Sequence, residues 1–172
     1  MKKKLIFATG NEGKMKEIRE ILNETGWNVL SLKDAGIDAD IEENGTTFEE
    51  NAKIKAEGIR NWCLENGIPR CSGISAKEII VLADDSGLEI DWLGGEPGIY
   101  SARYMGHETS YREKNANLIS RLDGVPKEKR TARFVCAIAA ALPDGNSLVT
   151  RGTIEGYIGW EECGSNGFGY DP

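Results

Sequence analysis

Ile79-Ile80-Val81-Leu82-Ala83 is an unbroken apolar run that stops at Asp84-Asp85-Ser86-Gly87. A strand with no polar alternation is buried on both faces, so this run predicts a central strand of a covered sheet, with carboxylates at its carboxyl end. A second short run, Lys4-Leu5-Ile6-Phe7-Ala8-Thr9, ends at Gly10, and Met15, Ile18, Ile21 and Leu22 then recur at helical spacing. That order predicts strand, Gly-rich turn and helix. Residues 27–32 read as another strand, and 34–45 as a Gly-punctuated acidic loop holding Glu42 and Glu43. Thr47-x-x-Glu50 predicts a capping box for a helix whose apolar face is Phe48, Ala52, Ala56, Ile59 and Cys63 and which ends near Gly67-Ile68-Pro69. Residues 88–103 read as a glycine-rich loop, and Ser110-x-x-Glu113 as the cap of a helix that stops at Gly124. Residues 131–142 and 147–158 read as long strands joined by the turn Pro143-Asp144-Gly145-Asn146. The fold class is mixed α/β, with a hairpin late in the chain and a structured turn over Gly167-Phe168-Gly169-Tyr170-Asp171-Pro172.

The chain has 172 residues, 40% of them hydrophobic, which suffices for one domain with a core that needs no disulfide or metal staple. Its net charge of −7 opposes broad binding to nucleic-acid polymers or anionic membranes, while leaving room for a small anion held locally. No apolar run approaches bilayer-spanning length, and Leu5-Ile6-Phe7-Ala8 is too short for a signal-peptide core, so a cytoplasmic location is expected. Cys63, Cys71, Cys136 and Cys163 form no C-x-x-C pair and read as reduced, structural thiols. The single histidine, His107, has no Ser or Cys partner motif nearby. Acid–base chemistry in this chain therefore rests on carboxylates.

Two features carry chemistry. Thr9-Gly10-Asn11-Glu12-Gly13-Lys14 joins a strand to a helix, where free backbone N–H groups and the positive helix end meet anions and Lys14 adds charge. It is not a Walker A loop, because two residues separate Gly10 from Gly13 and Met15 follows the lysine. By itself the segment reads more readily as a plain turn with a solvated lysine. Asp84, Asp85, Glu42 and Glu43 are hard oxygen ligands on separate segments, the type that suits Mg²⁺ beside phosphates. Taken singly, they also read as a hydrogen-bonded turn and a solvated acidic loop.

Five motifs occur in order: Thr9-x-Asn11-x-x-Lys14, Thr47-Phe48-x-Glu50-Asn51-Ala52-x-x-Lys55-Ala56, Ala83-Asp84-Asp85-Ser86-Gly87-Leu88, Leu93-Gly94-Gly95-x-Pro97-Gly98-Ile99-Tyr100-Ser101-Ala102-Arg103-Tyr104, and Gly167-Phe168-Gly169-Tyr170-Asp171-Pro172. Together they make the sequence closely resemble the ITP/XTP pyrophosphatase family, from Leu5 to Pro172. The resemblance implies an elongated, two-lobed mixed twisted sheet flanked by helices (an anticodon-binding-like or Maf-like α/β arrangement), with 1–172 forming a single nucleoside triphosphate pyrophosphatase domain. It implies Mg²⁺-dependent hydrolysis of nonstandard purine nucleoside triphosphates (ITP, dITP, XTP) to monophosphate and pyrophosphate, in a homodimer. Asp85 takes the family's proton-accepting role, and Glu42 and Asp85 hold the metal, with Asp84 or Glu43 close behind. Thr9, Gly10, Asn11, Glu12, Gly13, Lys14, Lys55 and Ser86 bind the substrate on its phosphate side, and Phe168, Gly169, Tyr170 and Asp171 match the base-binding loop. Two differences from the family pattern stand out: a longer connection over 60–79, expected to extend outward, and no counterpart after Pro172 of the further lysine, the Ser-His-Arg motif and the closing helix. The alternatives implied by the second difference are a non-catalytic or degenerate nucleotide-binding protein, and a dimerising fragment that needs a separate C-terminal piece.

Overall fold

A computed structural model describes residues 3–71, 73, 75–165 and 167–171. Its elements are β1 (Lys3–Phe7), α1 (Glu12–Leu22), β2 (Trp27–Ser31), α2 (Leu32–Ala35), α3 (Phe48–Asn66), β3 (Ile80–Ile90), α4 (Tyr111–Arg121), β4 (Thr131–Ala141) and β5 (Ser147–Tyr157), with short 3₁₀ segments between several of them. The five strands form one sheet in the order β2-β1-β3-β4-β5. The chain divides into two compact units, one of Met1–Asp85 with Ala137–Arg151 and the other of Ser86–Cys136 with Gly152–Pro172.

In the first unit β1 runs parallel to both of its neighbours, pairing Leu5 with Val29 and with Ile80, and Phe7 with Ser31 and with Leu82. Leu5, Ile6 and Phe7 are all buried, as an unalternating strand between two others must be. Leu5, Phe7, Met15 and Val29 form a buried cluster against which Ile18, Leu22 and Trp27 pack, each fully buried side chain contributing about 1.5–3 kcal/mol. Ile21 belongs to the other side of α1 and is 70% exposed, so the inward stripe is Met15, Ile18 and Leu22 alone. The acidic stretch after β2 opens with α2, whose capping box pairs Ser31 and Asp34, and becomes loop only beyond it. Thr47 caps α3 as its sequence predicts, but the short return bonds to the Glu50 carboxylate come from the N–H and hydroxyl of Thr46. The connection after α3 does not extend outward at 68–71. Ile68 and Cys71 are buried, the Arg70 N–H donates to the Ala35 carbonyl, and its guanidinium donates to that of Lys33. Ser72 and Ile74, within the same connection, lie outside the described residues.

The largest departure from expectation is β3. The apolar run does not end the strand at Asp84; the extended backbone continues through Asp84-Asp85-Ser86-Gly87 to Ile90. Both carboxylates find partners on flanking helices, which removes the cost of charged side chains within a strand, and Leu88 and Ile90 then resume burial. Further on, β4 and β5 are adjacent in the sheet, and the turn between them closes with the Leu142 N–H on the Asn146 carbonyl and Gly145 in the left-handed region at φ 93°.

In the second unit a full capping box between Ser110 and Glu113 starts α4. Leu88, Ile90, Leu118, Leu122, Val125 and Ala132 make its core. The cysteines divide in two: Cys63 and Cys71 are buried, whereas Cys136 and Cys163 are exposed and so not core groups. Burial pushes the Cys63 thiol up to about 11, keeping it protonated and inert.

Candidate active site

The β1–α1 turn is built by its own side chains. The Asn11 N–H donates to Thr9 Oγ1 at 3.1 Å, and Asn11 Oδ1 accepts the Lys14 N–H at 3.1 Å, capping α1. Gly10, Asn11 and Glu12 are exposed, and a Cβ added at Gly10 would meet nothing within 4 Å, so the backbone there is open to approach. From the first turn of α1, Lys14 reaches across to β3, where its Nζ pairs with Asp84 Oδ2 at 2.5 Å. Asp84 is only 4% exposed.

On α3, Asn51 and Lys55 stand one helical turn apart and on one face. Lys55 Nζ lies 3.0 Å from Glu43 Oε1 and donates to the Asp84 backbone carbonyl at 3.1 Å. Asn51, 2% exposed, donates through Nδ2 to Asp85 Oδ2 at 3.1 Å, while its Oδ1 accepts the Gly45 N–H at 2.8 Å. Side chains alternate along a strand, and the two neighbouring aspartates accordingly find partners on different helices: Asp84 on α1 and Asp85 on α3. They are not a dyad sharing one proton. Burial, reinforced by the negative charge of Glu43, raises the Asp85 carboxyl above its ordinary value against the opposing pull of Asn51, Lys55 and Lys14.

Of the residues singled out by sequence, the structure thus brings together Lys14, Lys55, Asp84 and Asp85. Glu43, also singled out by sequence, joins them through Lys55, because the acidic loop is clamped to α3 at two points of close approach. Gly58 faces Ile41 so tightly that a Cβ would lie 2.9 Å from its side chain, and a Cβ on Gly45 would lie 2.7 Å from Asn51 Oδ1. Glu42, the neighbouring residue, is exposed and joins no ion pair or hydrogen bond among the described residues. Asn51 was not singled out by sequence as a site group; its signal was a polar residue within the apolar face of a helix, four residues before Lys55. Ser86 follows Asp85 on β3 and is partly buried.

The second unit holds the other motif. Phe168 bridges to Asp171 around Gly169, whose φ of 73° favours glycine. Tyr170 donates its hydroxyl to the Ser101 carbonyl at 2.7 Å and packs edge-on against Tyr111, centroids 5.1 Å apart. Burial raises its phenol, which stays protonated. Ser101 in turn accepts the Leu88 N–H and donates to the Gly98 carbonyl, fastening the loop after β3 to that strand. With the turn held from beneath, the Phe168 ring remains 44% exposed, a flat apolar face. Pro172, the last residue of the motif, lies outside the described residues.

Among the described residues no three His, Cys, Asp or Glu side chains converge into a metal cage. Asp85, bonded to Asn51, and the Glu42-Glu43 pair, anchored at Glu43 by Lys55, offer hard oxygen donors of the type that suits a cation keeping waters or phosphates as its remaining ligands.

A sequence model of the Ham1 family matches residues 5–172. The dITP/XTP pyrophosphatase of Bacillus licheniformis is 48% identical over 170 residues, covering 99% of this chain and 80% of its own, and that of Bacillus subtilis is 46% identical, covering 99% and 79%. Among solved structures, the Staphylococcus aureus Ham1 protein superposes with a TM-score of 0.79 at 38% identity, covering 99% of this chain and 79% of its own. A HAM1 protein from Coxiella burnetii gives 0.78 at 34% identity, covering 99% and 80%.

Proposed function

The chain belongs to the Ham1 family, and from that membership we propose that it hydrolyses dITP, ITP and XTP to the monophosphate and pyrophosphate, clearing nonstandard purines from the nucleotide pool. The observation that carries this reading is the convergence of Lys14, Lys55, Glu43, Asp84 and Asp85 beside an open helix start. Three carboxylates against two ammonium groups leave the cluster one negative charge, which by itself repels a polyphosphate. A divalent cation reverses that sign. We take it to be Mg²⁺, held by Glu42 and Asp85 with Glu43 close behind; when bound it would neutralise phosphate charge and lower the pKa of its water.

The chain's own residues supply the remainder. Lys14 and Lys55 meet phosphate oxygens as point charges, and the N–H groups at the start of α1, with Thr9 and Asn11, complete an anion cradle. Asp85, its carboxyl raised by burial, accepts the proton of the water that attacks the α-phosphorus, and pyrophosphate leaves. Phe168 offers the face on which a purine stacks, with Gly169, Tyr170 and Asp171 shaping the turn. We further propose that the two interleaved units act as one catalytic domain, in a cytoplasmic homodimer. Leu148 and Ile154, on one face of the edge strand β5, stand 62% and 74% exposed, apolar groups that dimerisation would cover.

The direct test is pyrophosphate release from dITP, XTP, dATP and dGTP with and without Mg²⁺. Release from dITP and XTP well above that from the standard nucleotides is expected; equal rates on all four would overturn the assignment. Lys14→Ala is expected to weaken pyrophosphate binding about 10- to 100-fold, since a hydrogen bond to a charged group contributes about 1.5–3 kcal/mol. Calorimetric titration with pyrophosphate checks this, and unchanged affinity would remove Lys14 from the phosphate site.

A further inference from the structure

We infer that Asn51 is a positioning residue for the hydrolytic reaction: its side-chain amide, polarised by the Gly45 N–H, fixes the Asp85 carboxylate relative to the acidic loop. The inference rests on the hydrolytic reading given above. Asn51 has one geometry open to it. Its Oδ1 accepts the Gly45 N–H at 2.8 Å, so the same amide must turn its Nδ2 hydrogens the other way, toward Asp85 Oδ2 at 3.1 Å. The group is 2% exposed, which denies it water as a substitute partner. One side chain thus ties the backbone of the loop that carries Glu43 to the carboxylate on β3, and neither can shift without breaking a buried bond.

Gly45 completes the device. Its N–H can approach Asn51 this closely because it bears no side chain; a Cβ there would stand 2.7 Å from Asn51 Oδ1 and 2.7 Å from Glu50 Cβ. The constraint is one of space, imposed jointly by the amide that orients Asp85 and by Glu50 Cβ.

Three variants separate orientation from mere support. Asn51→Ala removes both bonds. Asn51→Asp keeps an acceptor for the Gly45 N–H but replaces the donor facing Asp85 with a second carboxylate oxygen. Gly45→Ala touches neither Asp85 nor Asn51 covalently, yet displaces the Asn51 amide. Each is compared with the unaltered chain for steady-state dITP hydrolysis, for calorimetric affinity toward the non-hydrolysable α,β-imido analogue of dITP, and for melting temperature. The expected result is a kcat about 10- to 100-fold lower in all three, the cost of misplacing a reacting group, with KM and analogue affinity within about threefold. Asn51→Asp should be at least as impaired as Asn51→Ala. In the double variant Gly45→Ala/Asn51→Ala, the loss of kcat should fall well short of the product of the two single losses, because both changes act on one amide.

An Asn51→Asp protein with near-normal kcat would overturn the inference, since it would show that holding Gly45 is sufficient. So would Gly45→Ala losses that multiply with those of Asn51→Ala. Should either Asn51 variant fail to fold, Gly45→Ala alone decides by its kcat against its analogue affinity. An inactive parent chain would instead refute the hydrolytic reading, and the two failures are told apart by that control.

Discussion

Asp85→Asn should abolish Mg²⁺-dependent dITP hydrolysis, lowering kcat by about 10²- to 10⁴-fold, the usual worth of a general base, while leaving the fold intact. The substitution is isosteric, and an amide oxygen can still accept the Asn51 donor. A second readout comes from pH. The folded-state carboxyl is raised above 3.8, chiefly by burial, so the native protein takes up this proton before the unfolded chain does. The stability contributed by that preference is complete below the unfolded-state value and is lost as pH rises through the folded one. Asp85→Asn has no proton to lose. In metal-free buffer at neutral pH the variant should melt at or above the temperature of the parent chain, with the gap closing toward about pH 4. Retained hydrolysis would remove Asp85 from the mechanism, and a variant that melts lower at neutral pH would contradict the burial account of its carboxyl.

The largest effect on stability is expected at Arg130, in the second unit. Its guanidinium is 1% exposed and donates to three backbone carbonyls: Nε to Ile158 at 2.9 Å, and the terminal nitrogens to Leu122 and Gly159 at 2.7 Å each. Its plane also lies 5.0 Å from the Trp160 ring centroid. Arg130→Ala would strand the three carbonyls and open a void, at a cost of about 3–5 kcal/mol. For a chain of this size, each kcal/mol moves the midpoint by about 2–4 °C. A thermal melt should therefore fall by roughly 6–20 °C, with Arg130→Lys intermediate because a single ammonium cannot serve three carbonyls in the planar fork. A melt of Arg130→Ala within about 2 °C of the parent would show that these bonds contribute little.

Much of the fold was legible because it depended on local pattern. The unalternating runs marked β1 and β3, the period of Met15, Ile18 and Leu22 marked α1, and Ser110-x-x-Glu113 marked the start of α4. What escaped depended on partners far along the chain. An Asp-Asp-Ser-Gly sequence has every mark of a turn, and it is a strand here because Lys14 and Asn51 meet its charges. The same holds for the acidic loop. Glu42 and Glu43 are indistinguishable neighbours in an aperiodic segment, and the contacts of Ile41 with Gly58 and of Gly45 with Asn51 determine which of them faces Lys55. Arg130 follows Lys127, Glu128 and Lys129, and only its three carbonyl partners explain its burial.

Because Asp84 and Asp85 are consecutive on one strand and have partners on different helices, sheet register and catalytic competence are a single structural variable. A β3 displaced by one residue against β1 would turn Asp84 toward Asn51 and Asp85 toward Lys14, exchanging the side chain meant to stay paired with the one meant to react. Such a molecule would retain most of its backbone hydrogen bonds and its circular dichroism, yet be catalytically silent. After refolding, recovered dITP turnover therefore counts in-register molecules, and any shortfall against recovered secondary structure measures the population caught one step out of alignment.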